Sequence, residues 1–163
     1  MYKYSFAPVE NFEIEILILG SMPGERSLLE QEYYAHPHNR FWRLMSELLK
    51  GSPIADYRDR RDMLLSNKIG LWDVIYSAQR EGSLDSAIQN EKPNALDTFI
   101  ASHGELKTVC FNGLKSQSLY KKYFPFYDHI DYITLPSSSP ANARSGFDDL
   151  LMEWGTVIGN QKP

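Results

Sequence analysis

Short apolar runs alternate along this chain with longer segments in which apolar residues recur every three or four positions. Residues 14–19, IEILIL, are rich in β-branched residues and are followed by Gly20, which is typical of a buried strand. The other apolar runs of strand length predict three more strands, over residues 69–74, 106–111 and 132–135.

Two helices are predicted between the first strand and the second. Apolar residues recur at helical spacing from Asn39 or Arg40 to Lys50, and Gly51 provides the stop. Another helix is predicted over residues 58–67. The connection between these two strands is therefore long, as a crossover between parallel neighbours requires.

Three more helices are predicted in the second half of the chain. The first starts after Pro93 and runs to Ser102; Pro93 is an N1-type residue, which suits a first helical turn because it has no N–H to leave unpaired. The second covers residues 114–123. The third covers residues 147–158, and Ser145 and Asp148 have near-capping-box spacing at its start.

Alternation of strands and helices predicts a parallel sheet, because crossover connections place helices on both of its faces. The expected fold class is α/β, with three α/β/α layers around a central, mainly parallel four-stranded sheet. Such sheets bind ligands at the carboxyl ends of their strands. Small, polar turn segments follow three of the predicted strands and are expected to meet in one cleft: residues 20–24, 112–113 and 136–142.

Composition and charge indicate one globular domain over residues 1–163. Hydrophobic residues make up 42% and charged residues 23%, which excludes a disordered chain, and the net charge of −4 excludes a surface that is basic all over. The lone cysteine, Cys110, excludes an internal disulfide framework and a multi-thiolate zinc site. With no recognisable secretion signal or membrane span, we expect a cytoplasmic protein without a membrane partner.

Several chemistries lack their sequence signatures. The chain has no phosphate loop, dinucleotide-binding glycine motif, nucleophile elbow or zinc-deaminase motif. Ser21 lies in a Pro-Gly turn with no recognisable base, which favours a turn residue over a nucleophile. His36 and His38 are two residues apart, but no third ligand follows at a recognisable spacing, so we expect no metal.

Four motif segments carry a resemblance to a known family. Residues 19–24 read LGSMPG, residues 33–42 read YYAHPHNRFW, residues 111–113 read FNG and residues 135–143 read LPSSSPANA. In this order they resemble the motifs of the uracil-DNA glycosylase superfamily, and in particular its hypoxanthine-DNA glycosylase branch. The resemblance covers nearly the whole chain and implies a uracil-DNA glycosylase-like fold.

Two departures from related enzymes bear on mechanism and specificity. Mismatch-specific uracil glycosylases carry a catalytic asparagine in a G-x-N-P-G turn, where this chain has Met22. The hypoxanthine branch has its catalytic asparagine in the His-Pro-x-Asn segment, which implies that Asn39 positions the attacking water. Related enzymes also carry His or Asn before the last Pro-Ser, where this chain has Leu135, so we expect slower release of uracil than of hypoxanthine.

The resemblance also implies how the base and the DNA are bound. Tyr34 stacks on the flipped base, Asn112 reads its edge, and backbone N–H groups of the Pro-Gly turn bind the charge of the leaving group. The base-binding residues are Ser21, Met22, Pro23, Gly24, Tyr34, Asn112 and Leu135. The DNA-binding residues, on the loop that fills the gap left by the flipped nucleotide, are Ser137, Ser138, Ser139, Pro140, Asn142 and Arg144.

Three of these residues also have simpler structural explanations. Asn39 is well suited to cap the helix that follows, and the cap and the catalytic role are compatible. Tyr34 would otherwise pack in the core, and Asn112 would otherwise form a turn with the glycine beside it. Basic residues bind DNA only if they cluster at the cleft, and the candidates are Arg26, Arg40, Arg43, Lys115, Lys121, Lys122 and Arg144.

The expected function is base excision repair by a monofunctional DNA glycosylase, which flips a deaminated base, chiefly hypoxanthine, and hydrolyses its N-glycosidic bond. We expect no cofactor, a monomeric protein, and DNA containing a deaminated base as the partner. Three alternatives remain: a uracil or mismatch-type DNA glycosylase, an N-glycosidase of free nucleosides or nucleotides, and a flavodoxin-like ligand-binding module without chemistry.

Overall fold

The computed structural model describes residues 1–49 and 56–159, which contain seven strands and six α-helices. The strands are β1 (Tyr2–Tyr4), β2 (Ile16–Gly20), β3 (Ile69–Asp73), β4 (Ile75–Gln79), β5 (Gln89–Pro93), β6 (Thr108–Asn112) and β7 (Asp131–Leu135). The helices are α1 (Glu25–Glu30), α2 (Phe41–Leu48), α3 (Tyr57–Ser66), α4 (Leu96–Ser102), α5 (Leu114–Tyr123) and α6 (Phe147–Gly155). A short 3₁₀ turn, Asp85–Ala87, lies between β4 and β5.

Four strands form a parallel sheet in the order β3-β2-β6-β7, as predicted. At one edge β2 ends at Gly20, which pairs with Asp73 of β3. At the same edge β6 ends at Asn112, which pairs with Leu135 of β7. The carboxyl ends of all four strands therefore open onto one side of the sheet, where the predicted turn segments begin.

Side chains of β2 alternate between two apolar cores, because successive residues of a strand point to opposite faces of the sheet. Leu17 and Leu19 belong to the core that contains the buried residues of α4 and α5. Ile16 and Ile18 belong to the core that contains the buried residues of α2, α3 and α6. Helices thus cover both faces, which confirms the three-layer α/β/α prediction.

A second sheet, antiparallel with the order β1-β4-β5, was not predicted. The helix predicted after Pro93 is α4, which begins at Leu96 and ends at Ser102 as predicted. Pro93 itself is the last residue of β5, which corrects its interpretation as an N1-type helix residue. The physical reason is that β5 is an edge strand, where a residue without an N–H is tolerated. Ile75 and Ile88, from β4 and the segment before β5, complete the core beneath α4.

Most predicted boundaries agree with the structure. The four predicted strands match β2, β3, β6 and β7 within two residues at each end, and α5 covers the predicted residues 114–123. The helix predicted over residues 39–50 is α2, while Lys50 and the predicted stop at Gly51 lie outside the described residues. None of the described helices is long and apolar enough to cross a membrane.

The capping residues predicted for α6 are wrong by one position. Asp149 accepts the backbone N–H of Gly146 at 2.9 Å, in place of the predicted pair Ser145 and Asp148. Gly146 has no side chain, so only this half of the capping-box exchange is made. The helix itself ends at Gly155, three residues earlier than predicted.

Candidate active site

A cavity of about 770 Å³ opens at the carboxyl edge of the parallel sheet, a volume suited to a small-molecule or single-nucleotide ligand. Its walls come from the loops that follow β2, β6 and β7, together with the segment before the 3₁₀ turn. The cavity is lined by all the predicted site residues: Ser21, Met22, Pro23, Gly24, Tyr34, Asn39, Asn112, Leu135, Ser137, Ser138, Ser139, Pro140, Asn142 and Arg144.

Asn39 is held at the cavity wall through its side-chain oxygen. The Oδ1 atom accepts the backbone N–H of Phe41 at 3.0 Å, at the first residue of α2, and the hydroxyl of Ser138 at 2.9 Å. Two donors saturate a carbonyl oxygen, so the remaining hydrogen-bonding capacity of the amide lies on Nδ2. Among the described residues Nδ2 has no partner. The N-cap of α2 is Arg40, so Asn39 lies one residue before the predicted capping position and bonds the first helical N–H from there. The geometry therefore combines a contact to the start of α2 with an amide donor available at the cavity.

Asn112 and Ser138 form a reciprocal pair. Ser138 donates its backbone N–H to Asn112 Oδ1 at 2.9 Å, and Asn112 Nδ2 donates to the hydroxyl of Ser138 at 3.0 Å. These two contacts fix which end of the amide is the donor, a point that the sequence alone leaves open. Beyond these contacts the amide has one more hydrogen on Nδ2 and one more lone pair on Oδ1, and its side chain also interacts with the Tyr34 hydroxyl. Through the Ser138 hydroxyl, the two asparagines belong to one hydrogen-bonded chain.

Arg40 holds the loop that carries Ser138. Its guanidinium donates to backbone carbonyls of that loop, those of Ser138, Ser139, Asn142 and Ser145. Arg40 is not among the residues that line the cavity, so the structure gives it a role in ordering the loop. A guanidinium presents several donors in a rigid fork, which suits it to binding several carbonyls at once.

Tyr34 presents a packed ring and a buried hydroxyl. Its ring stacks on Phe41 with centroids 4.2 Å apart, and the residue lies on the cavity wall. The hydroxyl is buried and makes no hydrogen bond of good geometry within the described residues. Burial, followed by the nearby Asp73, holds the pKa of Tyr34 well above its usual range, while the neighbouring Asn112 amide acts in the opposite direction. A Cβ on Gly20 would lie only 3.0 Å from this hydroxyl, so the glycine permits the close approach.

The Pro-Gly turn offers backbone donors to the cavity. Among the described residues, no hydrogen bond is donated by the backbone N–H groups of Ser21, Met22 and Gly24. The Ser21 hydroxyl donates to Asp85 Oδ1 at 2.5 Å, and no histidine or lysine contacts it, which favours the turn residue over the nucleophile. Arg80 donates a hydrogen bond to the carbonyl of Pro23 and so helps to hold the turn in place.

Sequence reasoning missed several residues of this cavity. Asp73 ends β3 at its floor, while Asp85 and two exposed leucines, Leu84 and Leu114, lie along its lining. The signal for Asp73 was an acidic residue near the end of an otherwise apolar predicted strand. The 3₁₀ turn that brings Asp85 to the cavity has no comparable signature in the sequence.

Only two of the candidate basic residues line the cavity, Arg26 and Arg144. Arg26 is paired with Glu30 at 2.7 Å, whereas Arg144 is exposed and has no ion-pair partner within the described chain. Residues 1–49 and 56–159 contain no group of three or more His, Cys, Asp or Glu side chains placed to hold a metal ion. Arg144 is therefore the basic group best placed to meet a ligand at the cavity mouth.

Comparison with known proteins decides the family. The family model described as the uracil DNA glycosylase superfamily matches residues 7–153. The chain belongs to the uracil DNA glycosylase superfamily. Its arrangement of a parallel sheet with motif loops at one edge is thus the superfamily's framework, and the resemblance predicted from the four motif segments is confirmed.

Relatives within the superfamily support a DNA glycosylase that acts on DNA. The chain is 42% identical over 148 residues to a protein named hypoxanthine DNA glycosylase from Methanosarcina barkeri, covering 89% of this chain and 91% of that one. A protein of the same name from Methanosarcina acetivorans is 40% identical over 162 residues, covering 97% and 99%.

A solved structure supports the fold independently. The solution NMR structure of a candidate uracil DNA glycosylase from Methanosarcina acetivorans superposes with a TM-score of 0.82 at 36% identity and covers 98% of both chains. The expected α/β fold class and the expected enzyme class, a DNA glycosylase, are therefore confirmed.

Proposed function

We propose that this DNA glycosylase excises deaminated bases, chiefly hypoxanthine, by flipping the nucleotide into the cavity and hydrolysing the N-glycosidic bond. The observation that carries the proposal is the chain of hydrogen bonds from Asn112 through Ser138 to Asn39 on one wall of the cavity. It holds a base-reading amide and a water-holding amide in fixed relative positions. The two relatives named hypoxanthine DNA glycosylase support the choice of base.

In this mechanism the base enters between Tyr34 and the Pro-Gly turn. One face of the Tyr34 ring packs on Phe41, which braces the ring so that its other face can stack on the base. The free backbone N–H groups of the turn face the charge that develops on the departing base. Asn112 uses its remaining donor and acceptor to pair with the lactam edge that deamination creates.

Asn39 holds the water that attacks C1′. Because Oδ1 already accepts two hydrogen bonds, the contact to water is a donation from Nδ2 to the water oxygen. The C1′–N bond breaks with its electron pair moving into the base, the water oxygen bonds to C1′, and the water proton passes to solvent. No lysine belongs to the motif segments, so the strand is left with an intact abasic site. We propose that a monomer suffices, since one chain supplies every residue of this site.

Arg144 is expected to contribute one phosphate contact. Affinity for duplex DNA should fall steeply with added salt, and Arg144→Ala should weaken it and reduce the slope of log K against log salt by about one. Fluorescence anisotropy of a labelled duplex at several salt concentrations measures both quantities. Arg58→Ala removes an exposed arginine from α3, away from the cavity, and is expected to leave the slope unchanged. Salt-independent binding would contradict the assigned DNA surface.

Specificity between bases is expected to depend on Leu135, which is buried and lines the cavity at the end of β7. An unmade hydrogen bond to a uracil oxygen costs about 1–3 kcal/mol, so deoxyinosine should be processed roughly ten- to a hundredfold faster than deoxyuridine. Hypoxanthine has no carbonyl at C2 and tolerates an apolar neighbour there. Leu135→His should raise the uracil-to-hypoxanthine ratio, whereas Leu135→Met should preserve it.

The experiment that tests the proposed function is a panel of matched duplexes carrying deoxyinosine, deoxyuridine, deoxyxanthosine or an unmodified base. Each is incubated with excess protein, and abasic sites are revealed by cleavage in alkali. Release from deoxyinosine first, and none from the unmodified duplex, is the expected pattern. Faster release of uracil than of hypoxanthine by the native protein would place the chain among the uracil-type enzymes instead.

A further inference from the structure

A buried carboxyl group lies at the floor of the cavity and has no part in the mechanism above. Asp73 is only 3% exposed, lines the cavity, and carries an Oδ2 atom that has no hydrogen-bond partner. Its Oδ1 lies 2.5 Å from where a Cβ on Gly20 would be, so the carboxyl covers the backbone at the start of the Pro-Gly turn. An unpartnered buried polar group is costly, and its persistence in a cavity indicates a ligand that completes it.

The Asp73 carboxyl lies close to a second buried polar group. The Tyr34 hydroxyl also lies within 3.0 Å of the Cβ position of Gly20, on the same side as the Asp73 carboxyl. Arg80, the nearby cation, donates hydrogen bonds to the carbonyls of Gly82 and Pro23, and among the described residues it donates none to Asp73. At the floor of the base pocket, the Asp73 carboxyl therefore keeps an oxygen without a hydrogen-bond partner among the described residues.

The surroundings of Asp73 favour its neutral form. Burial, and after it the negative charge of Asp85, raise the pKa of Asp73 to about 8, while Arg80 acts in the opposite direction. A neutral carboxylic acid has an O–H to donate, which a carboxylate lacks. Two carboxyl groups in one cavity with different environments are a known way to separate an acid from an ionised partner. The titratable and charged groups that interact with Asp73 are Tyr33, Tyr34, Tyr57, Arg80 and Asp85.

We propose that Asp73 is a further catalytic residue, the general acid that donates its proton to the purine leaving group at ring nitrogen N7. This inference rests on the proposed function, because it requires a purine to occupy the cavity. Asp73 supplies a transferable proton, which the Pro-Gly turn cannot, since backbone N–H groups donate hydrogen bonds but transfer no proton. Uracil has no basic ring nitrogen equivalent to N7, so the contribution of Asp73 is specific to purines.

The step balances without any other reactant. As the C1′–N9 bond breaks, its electron pair moves into the purine, and the Asp73 carboxyl transfers its proton to N7 of the departing hypoxanthine. Water adds to C1′ and releases one proton, which restores the protonated state of Asp73 through solvent. The products are neutral hypoxanthine and an abasic site, and the enzyme returns to its starting state.

Asp73→Asn tests the proposal because asparagine keeps the shape and a donor but has no proton to transfer. Single-turnover release of hypoxanthine from a deoxyinosine duplex at pH 7 should fall about 100-fold. Release of uracil from a matched deoxyuridine duplex should change less than threefold. Asp128→Asn, which removes an exposed carboxylate from a distant loop, is the matched control and should behave as the native protein.

The native protein supplies a second test that needs no variant. Its hypoxanthine release rate should decline as pH rises from 6.5 to 8, a range in which most of the base keeps its N1 proton, whereas uracil release should not. A native rate on deoxyinosine that is flat or rising over this range overturns the proposal. So does an Asp73→Asn variant that releases hypoxanthine at the native rate. If the native protein releases no base from any duplex, the proposed function fails before Asp73 is tested.

Stability measurements check the protonation of Asp73 apart from catalysis. An acid whose pKa is higher in the folded than in the unfolded protein holds its proton in the folded state over the interval between the two values. The folded state then binds more protons, so stability falls as pH rises from near 3.8 to about 8 and is level above it. Chemical denaturation should show this decline for the native protein and a smaller one for Asp73→Asn. Identical pH dependence in the two proteins would contradict a protonated Asp73.

Discussion

Asn39→Ala is expected to lower the rate of hypoxanthine release from duplex DNA by about 100-fold or more, which is the usual scale for losing a group that positions or activates a reactant. The physical reason is the loss of Nδ2, the donor left free for water after Oδ1 has bound Phe41 and Ser138. Single-turnover kinetics with protein in excess over a deoxyinosine duplex measures this rate without interference from product release.

The control for Asn39 separates chemistry from helix capping. Asp56 caps α3 by accepting the N–H of Arg58 at 2.8 Å, well away from the cavity lining. Asp56→Ala should lose about 0.5–2 kcal/mol of stability, as removal of an N-cap does. Asn39→Ala, which removes a contact to the first residue of α2, should lose no more than that, and it alone should lose activity. An Asn39→Ala protein that is destabilised and still releases base at the native rate would leave Asn39 as a cap alone.

Tyr34→Ala is expected to reduce release at subsaturating protein by roughly ten- to a hundredfold, because stacking on a base contributes about 1–3 kcal/mol. Tyr34→Phe should remain close to the native rate, since stacking on the base needs only the face of the ring. Measuring the single-turnover rate across a range of protein concentrations separates weaker binding of the flipped base from slower chemistry.

Two outcomes would contradict the stacking role of Tyr34. If Tyr34→Phe is as impaired as Tyr34→Ala, the hydroxyl carries the effect and the ring face does not. If both variants release base normally, the ring serves only to pack against Phe41. Tyr76→Ala is the matched control, because Tyr76 is an exposed tyrosine on the second sheet, and it should not alter the rate.

The parallel sheet could be predicted from the sequence because its strands are short apolar runs buried on both faces. The antiparallel sheet could not, since β1 has three residues and β5, QNEKP, is polar and largely exposed. β4 follows β3 after the single residue Val74, so the two read as one apolar run. Edge strands of this kind take their structure from pairing with a neighbour, which leaves little periodicity in the sequence.

The candidate site was predictable to the extent that its residues lie in motif segments. Those segments follow parallel strands, and the strand ends bring them together. The orientation of the Asn112 amide was not predictable, because it is set by Ser138 from a loop 26 residues away along the chain. Nor was the raised pKa of Asp73, which results from burial and from Asp85 on a 3₁₀ turn that has no recognisable sequence pattern.

The most direct test of the central claim is to quantify free hypoxanthine and abasic sites from one deoxyinosine duplex by mass spectrometry. A monofunctional glycosylase of this kind should yield the two products in equal amounts, with the strand intact until alkali is added. Free deoxyinosine at the same concentration should stay uncleaved, because it lacks the phosphates and strand that Arg144 and the 137–144 loop are proposed to hold. Release from the free nucleoside with none from the duplex, or no free base at all, would contradict the account.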